Sequence, residues 1–186
     1  MPQKDYLGGH FNITNNDKSA LLYLVEKFKI KTLLDVGCGP MGVVQDALDI
    51  GLDAYGVDGD VDILYMENIP TNRLSIHDFT VSPWKSPKKF DGIWSVEVAE
   101  HINEEFVLNY LYTISDNLEN NGVLLFTHAV PGQGGYHHVN CKPSEYWIQK
   151  FKDVDIHMMK IESKEIRELA KNTTISDRAM VFLKKI

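Results

Sequence analysis

The apolar run Thr32-Leu33-Leu34-Asp35-Val36 stops at a turn with three closely spaced glycines, Gly37-Cys38-Gly39-Pro40-Met41-Gly42. A short apolar run closed by glycine reads as a buried strand. The periodic stretch Val43 to Ile50 after it reads as a helix, with Gly51 at its C-terminal end. A strand, a glycine turn and a helix constrain the fold strongly. A helix of this kind serves as the crossover of about a dozen residues or more that parallel neighbours need.

The pattern recurs along the chain. Ala20, Leu21, Leu24, Val25 and Phe28 repeat at helical spacing, with Asp17 as N-cap. Ala54 to Val57 is a second strand ending at Asp58, and Arg73 to Ile76 a short third. Phe90 to Val96 is a fourth, followed by an amphipathic helix from about Glu104 to Leu118 that Asn120-Asn121-Gly122 closes. Val123 to Thr127 is a fifth strand, Pro143 to Phe151 a helix and Val154 to Met158 a sixth strand of ambiguous pattern. Glu162 to Lys171 is a helix and Arg178 to Leu183 the closing strand. The expected fold is α/β: a doubly wound, mostly parallel sheet of about seven strands with helices on both faces. Ligands of such sheets lie beyond the carboxyl ends of the strands.

The 186 residues fit one domain over 1–186, with 1–16 as a candidate N-terminal lid through Tyr6-Leu7-Gly8-Gly9-His10-Phe11. The net charge of −7 and the scattered Lys and Arg argue against a nucleic-acid partner. No apolar run approaches a membrane span, and the N-terminus lacks the layout of a signal peptide. The two cysteines, Cys38 and Cys141, fit neither a disulfide framework nor a zinc site. A reducing cytoplasm is the expected location.

Gly37, Gly39 and Gly42 match the dinucleotide fingerprint, and Asp58 follows Gly39 by 19 residues, where an acid meets a ribose hydroxyl. Asp35 discriminates between cofactors. Beside a pyrophosphate its carboxylate costs a few kcal/mol at an effective dielectric near 20 and about 4 Å, which disfavours an NAD(P) oxidoreductase. A cofactor bearing an ammonium and no phosphate is attracted instead, and S-adenosylmethionine is one.

Leu34-Asp35-Val36-Gly37-Cys38-Gly39 resembles the first motif of the class I, Rossmann-like S-adenosylmethionine-dependent methyltransferases. Tyr55-Gly56-Val57-Asp58, His77-Asp78-Phe79, the run Phe90 to Ile102 and Asn121 to Phe126 resemble the later motifs in order. The resemblance implies S-adenosylmethionine held by Asp35, Gly37, Cys38, Gly39, Asp58, Gly59, Asp78, Phe79, Glu97 and Val98. Asp58 would grip the ribose, and Asp78 and Phe79 would frame adenine. It also implies an antiparallel terminal strand between strands five and six.

The stretch Thr127 to Trp147 resembles a segment of phage, viral and bacterial members of the same family. Its glycines make it mobile or sharply turned, and its histidines make it reactive. It reads as a substrate-facing lip. Methyl transfer to oxygen or nitrogen gains from a base near neutral pKa. His138, His137, His128 and His101 are the candidates, with His138 foremost. Convergence of His128, His137 and His138 with Glu97 or Asn140 is a possible metal arrangement, but no metal is expected. The expected acceptor is a small or sugar-like molecule, chosen by the lips or by a partner. A homodimer or partner subunit is left open, as is a non-catalytic subunit or sensor that binds S-adenosylmethionine.

Overall fold

Seven strands form one sheet in the order β3-β2-β1-β4-β5-β7-β6 in the computed structural model, which describes residues 13–185. They are β1 (Thr32–Val36), β2 (Asp53–Asp58), β3 (Leu74–Ile76), β4 (Phe90–Ser95), β5 (Leu118–Phe126), β6 (Ile156–Met158) and β7 (Met180–Lys184). The pairs among β1 to β5 are all parallel, while β7 runs antiparallel to both β5 and β6. The doubly wound, mostly parallel sheet is thus as expected, with the closing strand between the fifth and sixth. Strand order reverses between β1 and β4, where the carboxyl ends of the strands open a crevice.

Among the described residues six α-helices cover the sheet: α1 (Lys18–Phe28), α2 (Gly42–Asp49), α3 (Val107–Asn117), α4 (Ser144–Lys152), α5 (Lys160–Leu169) and α6 (Thr173–Arg178). Successive strand residues point to opposite faces, and both faces are apolar. Leu33, Trp94, Leu125 and Val181 pack with α1, α2, α5 and α6 on one side. Leu34, Ile93, Leu124 and Phe182 pack with α3 and α4 on the other. Burying each such leucine contributes roughly 1.5–3 kcal/mol, so the central strands are held from both sides. Among the described residues, no helix is long and apolar enough to cross a membrane.

Asp17 caps α1 by accepting from Ser19 N at 2.9 Å and Ala20 N at 3.0 Å. Its second oxygen accepts from the backbone of Lys171 and Asn172, tying the α5–α6 connection to the start of α1. The expected cap therefore also serves as a long-range clamp.

The structure departs from the sequence reading at several element boundaries: β6 starts at Ile156 rather than Val154, α5 runs Lys160–Leu169, and β7 starts at Met180, since Arg178 ends α6. The helix expected from Glu104 starts as a 3₁₀ turn at Glu104–Phe106 and becomes α-helical only at Val107. β5 begins at Leu118 rather than Val123 and stops at Phe126; its exposed Glu119-Asn120-Asn121 carries no apolar alternation. Helix α6 was not anticipated. Its Thr-Thr-Ile start has low helix propensity, but Asn172 caps it by accepting from Thr174 N at 3.0 Å and Ile175 N at 3.3 Å.

Candidate active site

The glycine turn crosses the end of β2. Gly37 N and Cys38 N both donate to Val57 O, at 2.8 and 3.3 Å. Gly39 N donates to Asp58 Oδ2 at 2.8 Å, and Asp60 N donates to Asp58 Oδ1 at 2.9 Å. Asp58 thus anchors the turn as well as facing the crevice. Gly37 has φ +78, and a Cβ there would lie 2.4 Å from Val98 Cγ2. Only glycine lets the turn lie against the segment after β4.

A cleft of about 380 Å³ opens at this edge, within the size range of small-molecule sites. Five carboxylate residues line it, Asp35, Asp58, Asp60, Asp78 and Glu97, and among the described residues no Lys or Arg does. Asp35, at the end of β1, is buried. That burial, and then the Asp58 carboxylate, raise its pKa well above the ordinary range. The Cys38 thiol is pushed up chiefly by burial, with Asp58 and Asp35 adding to it.

The far wall of the cleft follows β4. Glu97 sits in the left-handed region at φ +57, a strained place for a residue with a side chain. Thr127, directly after β5, holds it there. Glu97 N donates to Thr127 Oγ1 at 2.9 Å, and Thr127 Oγ1 donates to Glu97 Oε1 at 2.9 Å. Thr127→Val keeps the shape and removes both bonds. It is expected to lower stability by about 1–3 kcal/mol and to weaken S-adenosylhomocysteine binding several-fold. Thermal melts and titration calorimetry check this; two unchanged values would show that Thr127 does not hold Glu97 in place.

Glu97 leads into a 3₁₀ turn at Ala99–His101. Glu100 in that turn is fully buried. Burial, and then the Glu97 charge, raise its pKa to about 8. His101 is pushed down to about 4, mainly by burial, although its hydrogen bond to the His137 backbone opposes the shift.

The lip after β5 is pinned to this turn. Val139 N and Asn140 N donate to Glu100 O at 2.9 and 3.0 Å, and His101 Nδ1 lies 3.1 Å from His137 O. Lys142 pairs with Glu104 at 2.6 Å, and Arg178 donates to Gln133. Of the two expectations for the lip, sharp turning describes it, with Gly132 at φ +84 and His137 at φ +50.

All ten residues expected to hold a cofactor line the one cleft. Of the four histidines, His101 and His138 line it, while His137 and His128 do not. His137 presents its backbone carbonyl to His101 instead. His128 is buried, with Nδ1 3.0 Å from Ala129 O, Nε2 3.1 Å from Ser144 Oγ and its ring stacked on Phe126 at 5.8 Å. That is a core histidine facing the helical layer of α4. Asp78 also closes a local turn, accepting from Thr80 N at 2.8 Å and Thr80 Oγ1 at 2.7 Å.

Sequence reasoning did not single out Ile13, Thr14, Trp94, Asn103 or Tyr136, which also line the cleft. Trp94 and Tyr136 lie within the β4 motif and the lip, but nothing local in the sequence tells which way they face. The expected lid segment Tyr6 to Phe11 lies outside the described residues. The described part, from Ile13, leans on α2, where Asn16 Nδ2 donates to Asp46 Oδ2 at 2.6 Å.

The chain is 27% identical over 114 residues to a ubiquinone biosynthesis O-methyltransferase of Pelagibacter ubique, covering 54% of this chain and 47% of that protein. The match thus spans about half the length of that relative. A S-adenosylmethionine-dependent methyltransferase from Clostridium acetobutylicum superposes with TM-score 0.68 at 13% identity, covering 91% of this chain and 90% of the other. A sugar N-methyltransferase from a Streptoalloteichus species superposes with TM-score 0.67 at 11% identity, covering 90% and 85%. An amino pentose methyltransferase from Micromonospora echinaspora, solved with S-adenosylmethionine bound, superposes with TM-score 0.66 at 12% identity, covering 89% and 88%. At these identities the superpositions establish a shared fold. The methyltransferase-domain family model matches residues 13–173, from the first described residue through all of the sheet but β7, and by that match the chain belongs to the methyltransferase-domain family.

Proposed function

We propose that the chain binds S-adenosylmethionine in this cleft and transfers its methyl group to an oxygen or nitrogen of a small, sugar-like acceptor. The observation that carries the reading is the charge of the cleft: five carboxylate residues and no Lys or Arg among the described lining. A phosphate-bearing dinucleotide is repelled by such a wall. A ligand with an ammonium and a sulfonium is attracted, and it relieves the buried Asp35 carboxylate. The tight fit of Gly37 under Val98 is a second point of agreement, because it keeps the turn free of side-chain bulk beside the cleft.

When bound, S-adenosylmethionine supplies a methyl group already activated by its sulfonium. The protein's work is then positioning. Asp35 holds the amino group. Gly37, Cys38 and Gly39 carry the methionine portion along their backbone. Asp58 and Gly59 take the ribose, and Asp78 and Phe79 take the adenine. Glu97 and Val98 border the methyl. His101 and His138 stand at the acceptor end, where the acceptor's proton leaves. A sugar-like acceptor draws support from the two fold-related sugar methyltransferases, and an oxygen acceptor from the O-methyltransferase matched in sequence.

The test is a binding comparison followed by an acceptor screen. S-adenosylhomocysteine is expected to bind and NADH not to; the reverse result overturns the reading. Asp58→Ala is expected to weaken S-adenosylhomocysteine about tenfold or more, through loss of a charged hydrogen bond of roughly 1.5–3 kcal/mol. Calorimetry showing unchanged affinity would remove the ribose assignment. Turnover on a panel of sugars, hydroxylated aromatics and amines identifies the acceptor. Cofactor binding without turnover on any of them favours a non-catalytic subunit.

A further inference from the structure

Glu100 is fully buried, where the Glu97 charge disfavours its ionised form and Arg178 favours it. Neither of its carboxylate oxygens has a hydrogen-bond partner among the described residues. An isolated buried carboxylate costs several kcal/mol, so it is held either by a proton or by a bound cation. One ligand-capable atom each of Glu100, His101 and His138 lies within 4.8 Å of the others. That is close to the spread that ligand bonds of about 2.0–2.2 Å allow.

The histidines are arranged as ligands. His101 Nδ1 lies 3.1 Å from the His137 carbonyl oxygen, which only accepts, so Nδ1 carries the proton and Nε2 keeps its lone pair. This is the backbone contact that orients metal-binding imidazoles elsewhere. His138 Nδ1 is buried without a partner, and the two rings meet edge to face at 5.1 Å. The two backbone bonds from the lip to Glu100 O hold the three side chains together although they come from separate segments. Two imidazoles and the Glu100 carboxylate offer a cation three electron pairs once it displaces the proton that the buried carboxyl carries.

We propose that Glu100, His101 and His138 form a binding site for one divalent first-row transition cation at the acceptor end of the cleft. Two nitrogens and one carboxylate match zinc, manganese, cobalt or iron(II) better than magnesium or calcium, which prefer all-oxygen ligands. Three protein ligands leave open positions, as in catalytic rather than structural sites. Both histidines line the cleft. The open positions therefore face the acceptor, and they suit an acceptor oxygen whose proton is lost more readily beside a cation. Only this last role rests on the methyl-transfer reading; cation binding does not. The site differs from the sequence expectation of no metal and from the alternative set His128, His137 and His138.

The test titrates the chelator-treated full chain with Co²⁺ alone, followed by visible absorption, and with Zn²⁺ and Mn²⁺ by calorimetry. One saturable site per chain is expected. Glu100→Gln and His138→Ala should each weaken it by more than the roughly 10–100-fold that loss of an outer-shell partner costs. His157→Ala, on β6, should leave it unchanged. Retained S-adenosylhomocysteine binding shows that the variants are folded. Absence of saturable cation binding, or binding that survives both ligand substitutions, overturns the site. If turnover is insensitive to chelation, the acceptor role falls. If the chain takes up Co²⁺ but not S-adenosylhomocysteine, the cation site stands and the methyl-transfer reading falls.

Discussion

Asp35→Asn is expected to cut S-adenosylhomocysteine affinity roughly 10- to 100-fold, the range for a hydrogen bond to a charged group, while raising the melting temperature of the ligand-free protein at neutral pH. The two effects share one cause. Asp35 is buried, and its folded pKa lies well above the ordinary value, first through burial and then through Asp58. The folded chain thus keeps a proton that the unfolded chain releases. The contribution of this group to stability is complete below the unfolded pKa of about 3.9 and is lost as pH rises through the raised folded pKa. Asparagine never ionises and removes that loss. Melting curves of parent and variant should converge at acid pH and separate as pH rises, with the variant higher. With ligand at about 100 times the parent Kd, the parent gains about 2.7 kcal/mol, and a variant weakened 100-fold gains about 0.4. A variant that binds as tightly as the parent would end the role of Asp35 as the ammonium partner.

Gly37→Ala is the second large effect, expected to destabilise by about 2–5 kcal/mol. At about 2–4 °C per kcal/mol for a chain of this size, the melting temperature falls by roughly 5–20 °C, and cofactor binding is lost with it. The added Cβ meets Val98 Cγ2 at 2.4 Å and Cγ1 at 2.8 Å, and φ of +78 strains any side chain. The two causes separate in a double variant. Val98→Ala removes both of those γ-carbons, so Gly37→Ala with Val98→Ala should recover part of the loss. The backbone strain stays. Full recovery would show that only the contact mattered, and no recovery that only φ did.

Much of this fold was legible because its signals are local. β1 is a short apolar run closed by glycine, and its predicted limits, Thr32 to Val36, are those observed. The cap at Asp17 and the C-terminal glycine after α2 are short-range hydrogen-bond and φ requirements, readable from residue type. Polar β5 residues and the Thr-rich α6 were not legible, because neighbours across the sheet and a side-chain cap decide them rather than periodicity.

The site divides in the same way. The acidic glycine turn and the Asp58 spacing are properties of one strand–turn–helix–strand unit, so the sequence alone determined which residues line this side of the cleft and the acidic charge from which the preference for a cationic cofactor is proposed. The acceptor side depends on which way side chains face once distant segments meet. Four histidines are candidates in the chain, His138 foremost, and residue type alone does not separate them. Packing against Phe126 takes His128 into the core, and the left-handed turn at His137 offers a carbonyl instead of a ring. The burial of Glu100 beside His101 and His138 arises only when the lip closes on the turn after β4. Charge and turn chemistry are written along the chain; convergence of groups far apart in it is decided by the sheet and the loops that the sheet brings together.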